Sequence, residues 1–453
     1  MFNDPAFRSQ STHVPSGMSI APLRVGMIGL GTVGMGTWRV LQRNQQAIEG
    51  RAGRRIEVVA VAVRNLARAA AVLGEGHGVE LTDDPLRVAT HPEVDVLVEV
   101  AGGTGPARDW LLAAMAHGKH VVTANKALLA EQGEALFAAA QQHGVALSYE
   151  GAVAVSIPII KALREGLSAN RIEWVAGIVN GTTNYILTRM REAGLGFEAA
   201  LAEAQALGYA EADPRLDVEG GDAAHKTALL AANAFGMPVP WQQLHVEGIR
   251  DLQALDVQCA QQLGYAVKLL GIARRVGEAV ELRVHPALVP AQHLLAPVNG
   301  AMNAVLVKGD AAGLTMYYGA GAGSEPTASA VIADLVDLAR QTAQGARPSV
   351  PPLAFHAHAR APRAVLPMAE VCTRHYLRVP LAHAGALAQV PQVLAAQGVA
   401  LQSLVRHEAS QQVQALVLTQ PAREGAVQQA IAALRALPAC AGDVAHLRVE
   451  WLE

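Results

Sequence analysis

The stretch Arg24-Val25-Gly26-Met27-Ile28-Gly29-Leu30-Gly31-Thr32-Val33-Gly34 decides the fold. An apolar run ends at Ile28, glycines follow in a G-x-G-x-x-G spacing, and a helical pattern opens at Gly34. Each glycine then has a separate role. Gly29 permits a tight turn, Gly31 lets a backbone approach a pyrophosphate, and Gly34 allows close packing of helix on strand. The helix N-terminus adds unpaired N–H groups and a partial positive charge, so Thr32 and Val33 count with the glycines as cofactor contacts. A glycine-rich turn without a ligand would show the same residues, but the strand before and the helix after favour a nicotinamide dinucleotide and hydride transfer.

Working outward, short β-branched runs alternate with Ala-rich helical stretches as far as Tyr149. Strands are expected at Arg24–Ile28, Glu57–Val63, Asp95–Val100, His120–Thr123 and Val145–Tyr149, and helices at Gly34–Ala47, Pro106–His117 and Ala127–His143. This rhythm specifies a doubly wound α/β Rossmann sheet over residues 21–150. Residues 151–323 change to an α+β pattern, with a strand at Ile172–Val179, helices at Phe197–Leu207 and Asp222–Phe235, and strands near Gly271 and Glu281. This segment is expected to carry catalysis and oligomer contacts. A helix over 324–344, apolar at Ala328, Val331, Ile332 and Leu335, should return to the first domain. Residues 345–372 read as a linker rich in Pro, Ala and His. Residues 373–453 follow a β-α-β-β-α-β outline of the ferredoxin-like kind, with strands from Tyr376, Ala400, Gln412 and Val444 and helices at Gly385–Gln397 and Glu424–Leu437. Residues 1–20 read as a loose leader.

The 453 residues are enough for two or three domains, and a net charge of −3 supplies no basic surface for nucleic acid. No apolar run reaches the roughly 18 residues of a membrane helix. A soluble cytoplasmic protein with a small-molecule substrate is expected. Cys259, Cys372 and Cys440 are too scattered for a disulfide framework or a metal site and are read as buried small hydrophobes.

The second strand ends Val61-Ala62-Val63-Arg64-Asn65, without the acid that usually holds a ribose 2′-hydroxyl. Arg64 suits a 2′-phosphate, which favours NADP or dual use, and equally suits a solvated strand end. Gly102, Thr104 and Lys126 follow the third and fourth expected strands, beside the ligand crevice of such sheets. Further on, Ala204–Lys226 is dense in acids. Asp222 and Lys226 are four apart on an expected helix and share a face, where the lysine could move a proton as hydride leaves or reaches carbon. Spacing alone fits a surface ion pair better.

The whole of Ala204–Lys226 resembles the signature of homoserine dehydrogenases. Thr123–Lys126, Tyr149–Val153, Ile178–Leu187 and Gly319–Gly323 resemble that family too, in the same chain order. The resemblance spans about Arg24 to Gln344. It implies NAD- or NADP-dependent interconversion of L-homoserine and L-aspartate 4-semialdehyde, on the route to threonine, methionine and isoleucine, in a homodimer or homotetramer. It also implies roles: Lys226 as proton donor, Lys126 as a second active-site lysine, Glu211 and Asp222 as holders of the substrate, Tyr209, Thr182 and Asp217 lining its pocket, and Gly323 near the nicotinamide. A monovalent cation, usually sodium, would be held by main-chain oxygens of Glu150, Val153, Val155 and Ile157, although a plain connecting loop fits these residues as well.

The segment from Arg378 resembles an ACT regulatory domain. Ala382 and Ala384 stand where an Asp and a Pro usually precede the glycine, here Gly385, so the effector-binding acid is missing. Leu381, Leu387, Val393 and Leu394 are expected core. Two alternatives compete with the dehydrogenase. An aspartate semialdehyde dehydrogenase needs a thiol nucleophile, and no cysteine lies in a suitable loop. A nonenzymatic cofactor sensor needs no proton donor, so Lys126, Glu211, Asp222 and Lys226 together argue against it.

Overall fold

A computed structural model describes residues 21–343, 349–409 and 412–452. The expected leader and residues 344–348 of the expected return helix and linker lie outside the described residues.

The first sheet contains β1 (Leu23–Ile28), β2 (Ile56–Ala62), β3 (Glu80–Thr82), β4 (Val96–Glu99), β5 (His120–Thr123) and β6 (Leu147–Ser148). Its order is β3-β2-β1-β4-β5-β6 and every pairing is parallel. Val25, Met27, Val96 and Val98 are fully buried, because helices cover both faces of such a sheet. The direction of strand succession reverses between β1 and β4, which opens a crevice at their carboxyl ends. The return helix spans Ser324–Thr342, and Ala328, Val331, Ile332 and Leu335 are buried in the same core as β1 and β4.

Some local expectations change. The single helix expected at Gly34–Ala47 is two, Thr32–Arg43 and Gln45–Ala52, broken at Asn44, a weak helix former. Strand β3 and the helices Leu66–Leu73 and Pro85–Ala89 have no counterpart in the periodicity, since each is short and the region is interrupted by Gly74, Gly76 and Gly78. The strand expected at Val145–Tyr149 shrinks to two residues. Cys259 is buried, but Cys372 is exposed at a strand start and Cys440 only half-buried, so the cysteines are not uniformly core.

The second sheet joins β7 (Ile172–Ile178), β8 (His245–Val246), β9 (Tyr265–Val276), β10 (Ala279–Pro290), β11 (Met302–Gly309), β12 (Gly313–Ala320), β13 (Cys372–Leu381), β14 (Leu401–Ala409), β15 (Gln412–Thr419), β16 (Ala422–Arg423) and β17 (Ala445–Val449). Its main path is β12-β11-β7-β9-β10-β17-β13-β15-β14. The C-terminal β-α-β-β-α-β order is present, with helices Gln389–Ala396 and Glu424–Arg435. Residues Gly385–Ala388, expected as the start of the former helix, belong instead to a tighter 3₁₀ turn, Ala384–Ala388. Leu381 and Leu394 are fully buried, while Leu387 and Val393 pack at the edge of that core. Parallel pairing of β10 with β17, Ala287 opposite Arg448 and Leu288 opposite Val449, makes the C-terminal strands continuous with the middle segment. The described part of the expected linker is strapped down: Tyr149 donates to the Pro352 carbonyl at 2.7 Å, Ala361 N to Gly236 O at 3.0 Å, and Val365 bridges to Val280. Among the described residues no helix is long and apolar enough to cross a membrane.

Candidate active site

The crevice has a main-chain side and a charged side. On the first, Gly29 turns with φ +100°, and a Cβ there would lie 2.8 Å from Ala101 N. A Cβ on Gly34 would lie 2.2 Å from the Gly29 carbonyl oxygen, so only glycine lets the helix start this close to the strand. Gly31, by contrast, is exposed and has open space where a Cβ would stand. The Thr32–Arg43 helix begins there with no side-chain cap, leaving its first amides for a ligand. Ser324 donates to the Thr32 carbonyl at 2.5 Å, which brings Gly323 and the start of the return helix to the same loop.

Beside it runs the loop after β4. Glu99, fully buried, accepts from Ala101 N at 2.9 Å and Gly102 N at 2.8 Å, and its other oxygen accepts from Thr123 Oγ1 at 2.7 Å. Thr104 is tied through its carbonyl to Gln132. Asn125 caps the Lys126–His143 helix and reaches back to the Gly103 carbonyl at 2.7 Å. Arg64 is exposed at the end of β2 and, among the described residues, makes no ion pair.

The charged side gathers three separate elements. Lys126 opens the helix after β5, Asn180 caps the Gly181–Ala193 helix after β7, and Asp222 and Lys226 lie in the first turns of Gly221–Phe235. Asp222 is the centre. Its Oδ1 pairs with Lys126 Nζ at 3.0 Å, and its Oδ2 with Lys226 Nζ at 2.8 Å and Asn180 Nδ2 at 2.8 Å. Lys226 also donates to the Val179 carbonyl at 2.8 Å, and Asn180 Nδ2 to Asp217 Oδ1 at 2.7 Å. The Asp222–Lys226 pair is therefore no surface ion pair: both side chains are more than nine-tenths buried. Burial lifts the Asp222 carboxyl, but the two lysines together hold it below the usual carboxylate range. Asp222 raises Lys126 above the ordinary lysine value against the opposing effect of burial. Burial, more than Asp222 offsets, lowers Lys226, and the like charge of Lys126 adds to the lowering. Two lysines sharing one carboxylate are thus split, one kept charged and the other made easier to deprotonate.

Of the residues singled out in the sequence, Lys126, Asp217, Asp222 and Lys226 converge directly. Thr182 Oγ1 donates to the Tyr209 carbonyl at 2.8 Å, and the Tyr209 ring lies 4.8 Å from that of Tyr185, so this pair forms a rim. Glu211 is exposed on that rim. It acts on Lys126 through its field, and among the described residues its side chain makes no ion pair. Asn180, Asn125 and Glu99 went unassigned in the sequence. An Asn directly before a helical run was the available signal for the first two, but it predicts a cap, not a partner for two aspartates.

In the expected cation loop, the Glu150 side chain accepts from Ile160 N and Lys161 N at 2.9 and 2.8 Å. Val155 sits at φ 56°, a costly conformation for a β-branched residue. The Ile157 carbonyl is taken by Ile159 N at 2.8 Å and that of Glu150 only distantly by Val153 N at 3.5 Å. Among the described residues the Val153 and Val155 carbonyls accept no main-chain hydrogen bond.

Residues 29–150 match the model of the homoserine dehydrogenase NAD binding domain, and residues 158–336 that of homoserine dehydrogenase. The homoserine dehydrogenase of Pseudomonas aeruginosa is 50% identical over 435 residues, covering 95% of this chain and 99% of its own. That of Neisseria gonorrhoeae is 45% identical over 434 residues, again 95% and 99%. A crystal structure of a homoserine dehydrogenase from Thiobacillus denitrificans superposes with a TM-score of 0.91 at 53% identity, over 96% of this chain and 99% of that one. A glycine loop opening a domain that matches an NAD binding model, and two lysines sharing one buried aspartate, stand in one chain, and that chain belongs to the homoserine dehydrogenase family, oxidoreductases acting on a CH–OH group.

Proposed function

We propose that the chain interconverts L-homoserine and L-aspartate 4-semialdehyde with the proton handled at Lys226. The observation that carries this reading is the division of Asp222 between Lys126 and Lys226. With Asp217 the group sums to zero charge, two lysines against two aspartates, which suits a zwitterionic substrate. Asp217 has one oxygen engaged by Asn180, and its other oxygen, with the exposed Glu211, is available to the substrate ammonium. Tyr209 and Thr182 line the rim. Lys126, held charged, fixes the reacting oxygen.

The residues present fit a nicotinamide dinucleotide. Gly29, Gly31, Thr32, Val33 and Gly34 would hold the pyrophosphate, with Gly102, Thr104 and Gly323 bordering the path toward Lys126. Arg64 would take a 2′-phosphate and so favour NADP over NAD. The cofactor, when bound, supplies the hydride acceptor or donor. In the oxidation direction Lys226, as the neutral amine, takes the hydroxyl proton while hydride leaves the same carbon. In reduction the Lys226 ammonium returns that proton to the developing alkoxide.

A monovalent cation, sodium by preference, fits at the carbonyls of Glu150, Val153, Val155 and Ile157. Oxygen donors suit a hard cation. The buried Asp334 Oδ1, which among the described residues has no hydrogen-bond partner, provides negative field close by, since Asp334 Oδ2 accepts from Glu150 N at 2.9 Å. The domain reading is 21–150 with the return helix for the nucleotide, 151–323 for catalysis, and 373–453 as an ACT-like unit. The order β17-β13-β15-β14 supports the last. With Ala382 and Ala384 at its first turn, that unit lacks an acid for an amino acid effector and serves as scaffold. A homodimer or homotetramer is the expected assembly, in the cytoplasm. The decisive experiment is a steady-state assay of purified protein with L-homoserine and NADP or NAD at alkaline pH, with and without threonine. Reduced cofactor should accumulate, faster with NADP and unaffected by threonine. No homoserine-dependent reduction with either cofactor would overturn the reading.

A further inference from the structure

Arg448, on β17, is 2% exposed and bonds glutamates from two parts of the chain at once. Its Nε and Nη2 donate to Glu424, at the start of the C-terminal helix, at 2.8 Å each. Its Nη1 and Nη2 donate to Glu247, just after β8, at 2.7 and 2.8 Å. His245 Nε2 lies 2.8 Å from the same Glu247 carboxylate. The neighbouring His375, Glu424 and His446 offer ligand atoms within 4.8 Å of one another, yet they present no vacant metal site. Both Glu424 oxygens are bonded to Arg448, and His375 Nδ1 is 3.0 Å from His446 Nε2.

From Glu247 the backbone runs straight under the substrate segment. Ile249 N donates to the Val218 carbonyl at 2.8 Å. Gly248 passes so close that a Cβ would lie 2.2 Å from that same oxygen. Gly220, at φ +87°, would bring a Cβ within 3.3 Å of the Glu247 carbonyl oxygen. Val218 ends the short Arg215–Val218 helix that carries Asp217, and Gly220 precedes the helix that carries Asp222. The seat on which both aspartates rest is therefore the segment Glu247–Ile249 that follows β8, tied to β10 by Glu247 N donating to the Val284 carbonyl at 2.8 Å and held through the Glu247 side chain by one guanidinium.

We propose that Arg448 and Glu247 are positioning residues that set the place of Asp217 relative to Asp222, and so the affinity for the amino acid end of the substrate. This rests on the reading of Asp217 as a contact of the substrate ammonium. It assigns the C-terminal unit a part in substrate binding that requires no effector. Glu424 supplies an internal control, because it shares the same guanidinium but reaches Val218 only indirectly, through Arg448 and Glu247.

The test is steady-state kinetics on full-length Glu247→Ala, Glu424→Gln, Asp217→Asn and the Glu247→Ala/Asp217→Asn double variant, with Tm measured for each. Glu247→Ala should raise KM for homoserine about fivefold, the scale of coupling through packed elements, with kcat and the KM for cofactor within about twofold. Glu424→Gln should lower Tm to a similar degree and leave the homoserine KM unchanged. The double variant should be no worse than Asp217→Asn alone. An unchanged KM in Glu247→Ala beside a raised one in Asp217→Asn overturns the proposal, as does an equal rise in Glu424→Gln, which would mark a general loss of stability. An unchanged KM in Asp217→Asn would instead remove the substrate reading, and with it the target assigned to the pair.

Discussion

The loop at Gly29–Gly34 offers a ligand main-chain amides and almost no side chain, whereas the cluster of Lys126, Asp217, Asp222 and Lys226 offers charged side chains from separated parts of the chain. The loop is exposed at Gly31 and Thr32, and its fit is steric: two glycines, Gly29 and Gly34, whose Cβ atoms would strike backbone. The cluster is mostly buried, and its fit is electrostatic, with Asp222 neutralised from two directions. A site that holds pyrophosphate needs close approach and partial charge, and backbone supplies both. A site that moves a proton needs side chains whose affinities for it are pushed apart, and that requires burial together with partners.

Removing the proton carrier should break the charged side alone. Lys226→Ala should lower kcat for homoserine oxidation by about 10²- to 10⁴-fold, with NADPH binding by fluorescence titration unchanged. Undiminished turnover would end the role given to Lys226.

The steric side should fail differently. Gly34→Ala forces a methyl group onto the Gly29 carbonyl and should cost about 1–3 kcal/mol of stability, read as a lowered Tm, with weaker cofactor binding. An unaltered Tm and cofactor affinity would show that the loop relaxes without loss.

A subtler probe separates the two lysines by pH. Burial lowers Lys226, so the oxidation rate should rise with pH through a midpoint below the ordinary lysine value of 10.5, as the neutral base forms. Asp222 opposes that lowering, so Asp222→Asn should move the limb to still lower pH while reducing its height. A limb moving upward would contradict the assignment of Asp222. Least of all, Arg64→Ala should leave turnover with NAD within about twofold and weaken NADP about tenfold, the worth of one charge-assisted contact. Equal effects on both cofactors would make Arg64 a solvated strand end.

Much of this was legible in the residues, for reasons that differ by site. The β1–loop–helix unit reads directly because its determinants lie within eleven consecutive positions, and the return helix because Ala328, Val331, Ile332 and Leu335 keep one face. Strand β3 did not, since three residues just after a run of glycines carry no period. Asn180 carried no assignment, because the helix it caps, Gly181–Ala193, was not among the expected elements. That it also holds Asp217 and Asp222 follows from where β7 delivers it, 37 and 42 residues away in sequence.

By itself the sequence determined local geometry and chemical inventory: which segments turn, which helix face is apolar, and that Asp222 and Lys226 share a side. Those depend on neighbours within a turn or a strand. Only the tertiary structure decided that Lys126 meets the same carboxylate, that this pair is buried, and that Arg448 reaches Glu247 across a continuous sheet. Charge affinities depend on solvent exclusion and on partners at any distance along the chain, and packing is what sets both.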